Sequence, residues 1–435
     1  MLIPSKRVLW IAAALAAFGL AASIAPELAH FWVAAAILLL FFAALDAIAA
    51  LRIRAPEAKR ILPGSLPLGV AHDVVLRLAN QSAAPVTCEV HDHYPAGTEV
   101  RGMPQRTTVP AHGWAEIRYS LRPVRRGELE FGRVEARLDS RAGLWQLRRR
   151  LGEATATRVY PNFAALTRFA LLATDNRLSQ LGVLQRRRRG EGLDFHQLRE
   201  YREGDSQRSI DWKATSRMRR LVSREYQDER DQQVVLLIDC GRRMAAQDDE
   251  LAHFDYVLNA ALLLAYVSLR QGDAVGFLAM ADESRWFAPR KSRATVNLIL
   301  NRVYDLHPTL KTTDYYGAAL ELMKRLRKRA LVVILSNLRD EDDDTLAPAL
   351  RLLQSRHLVL FASLREAILS RALAARVDNF ERALTHAATA EYLQRRELAF
   401  RRLERGGAAC LDVEPAELPI ALVNRYIDIK RSGRL

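Results

Sequence analysis

Hydrophobic and polar positions divide the chain into three regimes. Residues 8–25 contain no charged side chain, and residues 28–51 are apolar except for His30 and Asp46. Each run is long enough to cross a bilayer core of roughly 30 Å, and Pro26-Glu27 breaks the chain between them. From Ile61 to Val159 the period is two. Residues 73–78, 86–90, 115–121 and 133–138 alternate apolar and polar, with Pro63-Gly64, Gly97, Pro110, Gly113 and Gly127 between them. That punctuation predicts a small antiparallel sandwich.

Beyond Asp231 continuous apolar runs at 233–239, 273–279, 330–336, 357–362 and 408–413 alternate with helical spacing. The helical segments are 251–269, 292–304, 315–328, 345–354, 365–374, 385–402 and 417–429. Strands buried on both faces and separated by amphipathic helices predict an α/β doubly wound parallel sheet. The expected order is a two-helix transmembrane hairpin (1–55), an immunoglobulin-like all-β sandwich (61–160), a helical and irregular connector (161–230) and the α/β domain (231–435).

Charge places the ends of the hairpin. Lys6 and Arg7 precede the first run, Arg52, Arg54, Lys59 and Arg60 follow the second, and the turn has neither lysine nor arginine. The positive-inside tendency then puts both termini and the later domains in the cytoplasm, beneath an inner membrane crossed twice. A cleaved leader is the competing reading, although cleavage after Ala25 would leave Pro26 at the new terminus. Cys88, Cys240 and Cys410 have no paired spacing, as expected of reduced thiols. The net charge of +15 favours nucleic acid or an anionic leaflet, and the lipid bilayer is the simpler neighbour for an anchored chain.

In a doubly wound sheet a ligand sits at the carboxyl ends of the strands. Here those ends are Asp239-Cys240-Gly241-Arg242-Arg243, the loop Thr312-Thr313-Asp314, and Ser336-Asn337. No Gly-x-Ser-x-Gly elbow and no phosphate-binding Gly-rich Lys-Ser/Thr loop appears. Cys240 reads as a buried structural thiol. His253 and His357 read as packing or capping residues at a helix start and a strand start, and His91 and His93 as strand residues flanking Asp92.

A strand ending in Asp, a Thr-Asp loop opening a helix and a strand ending Ser-Asn resemble a von Willebrand factor A domain and its metal-ion-dependent adhesion site. The segment from Gly192 to Lys213, GLDFHQLREYREGDSQRSIDWK, is similar to the signature of the bacterial domain of unknown function family 58 (DUF 58). Its matching positions are Arg199, Tyr201, Gly204, Asp205, Arg208, Asp211, Trp212 and Lys213. The adhesion-site pattern is Asp-x-Ser-x-Ser, then Thr, then Asp. Asp239 matches the first position, Gly241 and Arg243 replace the serines, Asp314 stands at the threonine unless Thr313 shifts into it, and Asn337 stands at the last aspartate.

That departure is unfavourable for Mg²⁺ or Mn²⁺, which would rest on Asp239 and Asp314, so no cofactor is expected. One reading pairs Arg242 or Arg243 with Asp239 or Asp314 in place of a cation; the other has Asp239 only capping the turn. The resemblance implies a membrane-anchored adaptor, not an enzyme, partnered by a MoxR-type AAA+ ATPase in assembling or maturing a client complex. Two other function classes stand beside it. A metal-dependent hydrolase would use Asp239, Asp314 and Asp211. A nucleic-acid binder would use the arginine runs 186–189 and 217–220, which lack interleaved aromatics.

The segment from Arg199 to Arg217 sets five basic residues against four acidic ones, the composition of an ion-pair network. Gly204-Asp205 is turn chemistry, Arg208 and Asp211 lie three apart, and Ile210 alternates with Trp212. The segment is therefore expected to be a strap with Trp212 buried, so that truncating it costs on the order of 3 to 5 kcal/mol. The outer charges are then Arg202, Glu203 and Lys213. The alternative is an exposed Trp212-Lys213 hot spot for a partner.

Overall fold

The computed structural model describes residues 1–162, 194–202, 207–227, 232–248, 251–281, 284–292, 294–339 and 343–434. The chain forms two compact units, Met1–Tyr160 and Pro161–Leu435.

In the first unit Ser5 caps the helix Lys6–Ile24, and a second helix runs over Ala29–Leu51. Both are long and apolar enough to cross a membrane. Their leucine, isoleucine and phenylalanine side chains are mostly exposed, as befits helices whose solvent is lipid. Trp32 Nε1 donates to Leu15 O at 2.9 Å and joins the two helices.

The rest of the unit is built from sheets that are antiparallel throughout except where the strand 155–160 pairs in parallel with 65–67. One has strands in the order 2–4, 145–151, 134–139, 86–91 and 105–109, and another has 57–61, 72–79, 114–123 and 98–101. Alternation along Val74, Leu76 and Leu78, and along Ile117, Tyr119 and Leu121, sends every second side chain into the interior. Asp92 is buried there, accepting from Arg60 Nε at 2.9 Å and Tyr119 OH at 2.6 Å, so it belongs to an internal network and not to a site with His91 and His93.

Asp46 of the second helix is buried rather than left in the apolar face. Its carboxylate accepts from Ser140 Oγ, from Ala142 N at 3.0 Å and from Leu144 N at 3.2 Å. Ser5 Oγ donates to Gly143 O at 2.6 Å, and Trp145 Nε1 to Ala43 O at 2.8 Å. The loop 140–145 thus grips both helices where the chain enters and leaves the hairpin.

The second unit contains a six-stranded sheet in the order 285–290, 274–280, 233–239, 331–336, 358–364 and 409–413. Five strands are parallel, and the edge strand Arg285–Arg290 runs antiparallel to Ala274–Met280, which corrects the expectation of an all-parallel sheet. The reason is local: Arg285–Arg290 follows Ala274–Met280 too closely for a crossover helix and can only fold back as a hairpin. On one face Val234, Leu236 and Ile238 pack with the helices His253–Arg270, Thr295–Val303 and Leu418–Arg431. On the other, Val235 and Leu237 pack with Tyr315–Arg325, Asp343–Gln354 and Phe380–Arg405. Fully burying each such aliphatic side chain is worth about 1.5 to 3 kcal/mol.

The described part of the connector, expected to be helical and irregular, holds an antiparallel pair, Asp194–Glu200 with Val222–Gln227, enclosing the short helix Trp212–Met218. Residues 163–193, with the arginine run 186–189, lie outside the described residues, as do Glu203, Gly204 and Asp205.

Candidate functional site

Asp239 ends the strand Gln233–Asp239 inside the sheet, beside the end of Leu331–Ser336, and the loop between the helices Thr295–Val303 and Tyr315–Arg325 closes over both. Its side chain is nearly sealed, at 1% exposure. Oδ1 accepts from Gly241 N at 2.7 Å and from the Thr313 hydroxyl, and Oδ2 from the Ser336 hydroxyl and from Tyr315 OH at 3.2 Å. Tyr315 OH and Ser336 Oγ are themselves 2.7 Å apart. One carboxylate therefore joins three loops through hydroxyl and main-chain donors. A buried carboxylate with several donors is well satisfied without a counter-cation.

The adhesion-site positions are placed as follows. Thr313, not Asp314, stands over Asp239. A side chain at Gly241 would run into the Thr313 hydroxyl and force it off Asp239, and with glycine there the main-chain N–H does the bonding. Asp314 is exposed and caps the helix Tyr315–Arg325, accepting from Gly317 N at 2.8 Å. Asn337 is buried but turns away, donating to Glu366 Oε1 at 2.8 Å and accepting from Arg396 Nη1 at 3.1 Å. Arg242 is exposed and Arg243 half-buried. Among the described residues the recorded partners of Asp239 are hydroxyls and an N–H, so the expected pairing with Arg242 or Arg243 is corrected: those donors already fill both oxygens.

An octahedral cation needs several free oxygen ligands. Here one carboxylate is consumed by four donors and the second candidate, Asp314, is a helix cap, so the donor set does not fit Mg²⁺ or Mn²⁺. No cluster of three or more His, Cys, Asp or Glu suited to a metal occurs among the described residues. Cys240 is buried. His253 begins its helix, buried, with Nε2 at 3.0 Å from Asp248 Oδ2, and His357 is buried just before its strand, where burial lowers its pKa.

Sequence reading placed Ser336 at a strand end without giving it a role, and it missed Tyr315 and Arg396. The signal for Arg396 was its spacing: it precedes Ala399, Phe400 and Leu403 by three, four and seven, on the buried stripe of its helix. Only 2% exposed, it donates to Ser363 Oγ at 2.8 Å, Leu364 O at 2.6 Å, Asp412 Oδ1 at 2.8 Å and to Leu338 O. Burial opposes its charge, but the Asp412 carboxylate outweighs that and holds its pKa above the usual arginine range.

The antiparallel pair Asp194–Glu200 with Val222–Gln227 and its short helix present a second surface. Asp211 is the N-cap of Trp212–Met218, accepting from Lys213 N and Ala214 N at 3.0 Å each, and it pairs with Arg224 at 2.9 Å. Arg224 reaches Asp211 because Asp211 N bonds to Val222 O and Ile210 bridges Ser223, while the expected partner Arg208 has its side chain outside the described residues. The expectation of a buried Trp212 is also overturned: it starts the helix and is 68% exposed, beside exposed Lys213. Capping turns the chain out of the extended form that alternation with Ile210 would require. Tyr201 N bonds to Leu221 O, and Arg199 lies on the first strand.

The Ala214 N–H and then the Arg224 guanidinium hold the Asp211 carboxyl below its usual range. A depressed folded pKa contributes stability above the unfolded value of about 3.9, lost as pH falls through the folded value. The protection factors of the Lys213 and Ala214 amides, taken relative to the intrinsic exchange rate at each pH, are therefore expected to hold at neutral pH and fall in acid, and Asp211→Asn to blunt that fall.

Residues 197–396 match the family model described as "Protein of unknown function DUF58". No curated protein matches the chain. Among solved structures, an aerotolerance-related membrane protein from Bacteroides fragilis is similar at 13% identity and TM-score 0.29, covering 45% of this chain and 98% of that one. A Salmonella alpha-2-macroglobulin aligns at 17% identity and TM-score 0.20, over 24% of this chain and 7% of that one. A FixG-related protein from Vibrio parahaemolyticus does so at 9% identity and TM-score 0.18, over 25% and 98%.

Proposed function

We propose, from the premise that this membrane-associated chain belongs to the DUF58 family through residues 197–396, that it is an anchored docking protein and not an enzyme. Its second unit is a von Willebrand factor A-like domain with a degenerate adhesion site, and its first an immunoglobulin-like sandwich on a two-pass hairpin. The hairpin's basic ends, Lys6, Arg7, Arg52 and Arg54, support an inner membrane with both soluble units in the cytoplasm. The partner is a MoxR-type AAA+ ATPase, and together they assemble or mature a client complex.

The observation that carries this reading is the exposed Trp212-Lys213 pair on a capped turn. An amphipathic aromatic held out at low entropic cost is the residue type that dominates protein interfaces. The adhesion-site loops support it from the other side: Asp239 is locked by hydroxyls and Asp314 and Asp211 by helix caps, which leaves the carboxylates of the hydrolase reading engaged in structure.

The test is a detergent-phase pull-down of the ATPase with Trp212→Ala and Lys213→Glu. Capture is expected to fall by roughly thirtyfold or more, the size of an interface hot spot, while the melting temperature stays unchanged. Undiminished capture overturns the docking face, and a large drop in melting temperature returns Trp212 to a structural role.

A further inference from the structure

The first unit contains a broad cleft of about 1490 Å³ between the hairpin ends and the loop that grips them. Its cations fall into two groups. Arg106 is paired with Asp139, and Arg137 lies 3.7 Å from Glu89, so the acidic lining residues are neutralised by lining arginines. Lys6, Arg7, Arg52, Arg54 and Arg141 also line the cleft, are exposed, and have no ion-pair partner among the described residues.

These five come from three separate segments, the start of the first helix, the end of the second and the loop 140–145. The grip on Asp46 and Ser5 fixes those segments together. Gly143 has a positive φ of 74° with the Arg7 guanidinium lying over it, so a side chain there would displace Arg7. One wall is aliphatic: Ile48 and Ala49 stand one helical turn before Arg52 and Leu45 two, and Leu45 and Ile48 are exposed on the face the hairpin offers to lipid.

A cationic basin that passes within one turn into an aliphatic helix face matches an amphiphile with an anionic head. A soluble anion would make no use of the aliphatic wall. We infer that this cleft seats the phosphate headgroup of an anionic phospholipid, with an acyl chain laid along Leu45 and Ile48. The inference rests on the bilayer reading of the hairpin given above. Bound lipid would then be an integral part of the membrane-proximal face and not merely its solvent.

The experiment uses the full chain in bilayers of phosphatidylcholine alone or with phosphatidylglycerol, followed by native mass spectrometry of the released protein. Phosphatidylglycerol is expected to stay bound in preference to phosphatidylcholine. The triple variant Arg52→Gln, Arg54→Gln, Arg141→Gln should weaken that retention by roughly a hundredfold, at about 1 kcal/mol for each of the three surface cations. The matched variant Lys59→Gln, Arg149→Gln, Arg150→Gln removes the same charge outside the cleft and should keep it. Equal retention of the two lipids, or equal loss in both variants, overturns the site. If inorganic phosphate in detergent raises the melting temperature as much as phosphatidylglycerol does, the cleft reads a soluble anion and the lipid assignment falls. Failure of the chain to float with phosphatidylcholine vesicles would instead remove the bilayer reading, and the lipid with it. Flotation without lipid preference removes the cleft alone.

Discussion

Replacing Arg396 by alanine is expected to lower the stability of the second unit by about 3 to 5 kcal/mol, the usual result of removing one partner of a buried ion pair. The guanidinium gathers the ends of two strands and their following loops, through Leu338 O, Ser363 Oγ and Leu364 O, and ties them to Asp412 on the edge strand. Alanine strands two buried carbonyls and a carboxylate at once. In a unit of this size the melting temperature should drop by roughly 10 °C, read by thermal unfolding in detergent. Arg396→Lys should recover only part of it, because an ammonium cannot address the same directions as the planar fork. A melting curve unchanged in Arg396→Ala would refute the hub.

Asp239→Ala is the second large effect, expected at about 3 kcal/mol. It leaves the Gly241 N–H and the hydroxyls of Thr313, Ser336 and Tyr315 facing an empty acceptor position. Tyr315 and Ser336 retain each other, which keeps the loss below a simple sum. Asp239→Asn should cost less, since one carbonyl oxygen survives. A cation bound at a hundred times its dissociation constant would add about 2.7 kcal/mol to the native state. Mg²⁺ and Mn²⁺ are expected to add none, because the oxygens they would need are occupied. Cation-dependent stabilisation of the native chain, abolished by Asp239→Ala, would reverse the assignment and restore an adhesion site.

Much of the fold was legible because its signals are strong ones. Five of the sheet's strands lie within a residue or two of where continuous apolar runs placed them, and both apolar helices emerge at the runs that announced them. The antiparallel edge strand Arg285–Arg290 was invisible, since two arginines, a proline and a tryptophan in six residues carry neither the alternating nor the continuous pattern. At the site, the right three loops were legible and the right residues only in part. Asp239 stands where the motif puts it. Whether Thr313 or Asp314 faces it depends on which one caps the next helix, a choice made by one hydrogen bond to Gly317 N. Trp212 failed for a related reason. Alternation with Ile210 presupposes an extended chain, and the Asp211 cap between them ends that extension. Local side-chain to main-chain bonds of this kind decide orientation without leaving a periodic trace.

The arginine-rich edge of the six-stranded sheet has a consequence for how this protein meets others. Pro289 sits within Arg285–Arg290 and has no N–H to offer, and Arg285 and Arg290 stand near either end of the strand. A seventh strand approaching from that side would have to follow a short strand whose register is broken by a bulge, and would meet an arginine near each end. Strand addition is thereby disfavoured there, as is sheet-to-sheet aggregation between copies, and recognition is directed to the loops and the capped turn, where side chains rather than main-chain ladders set the choice.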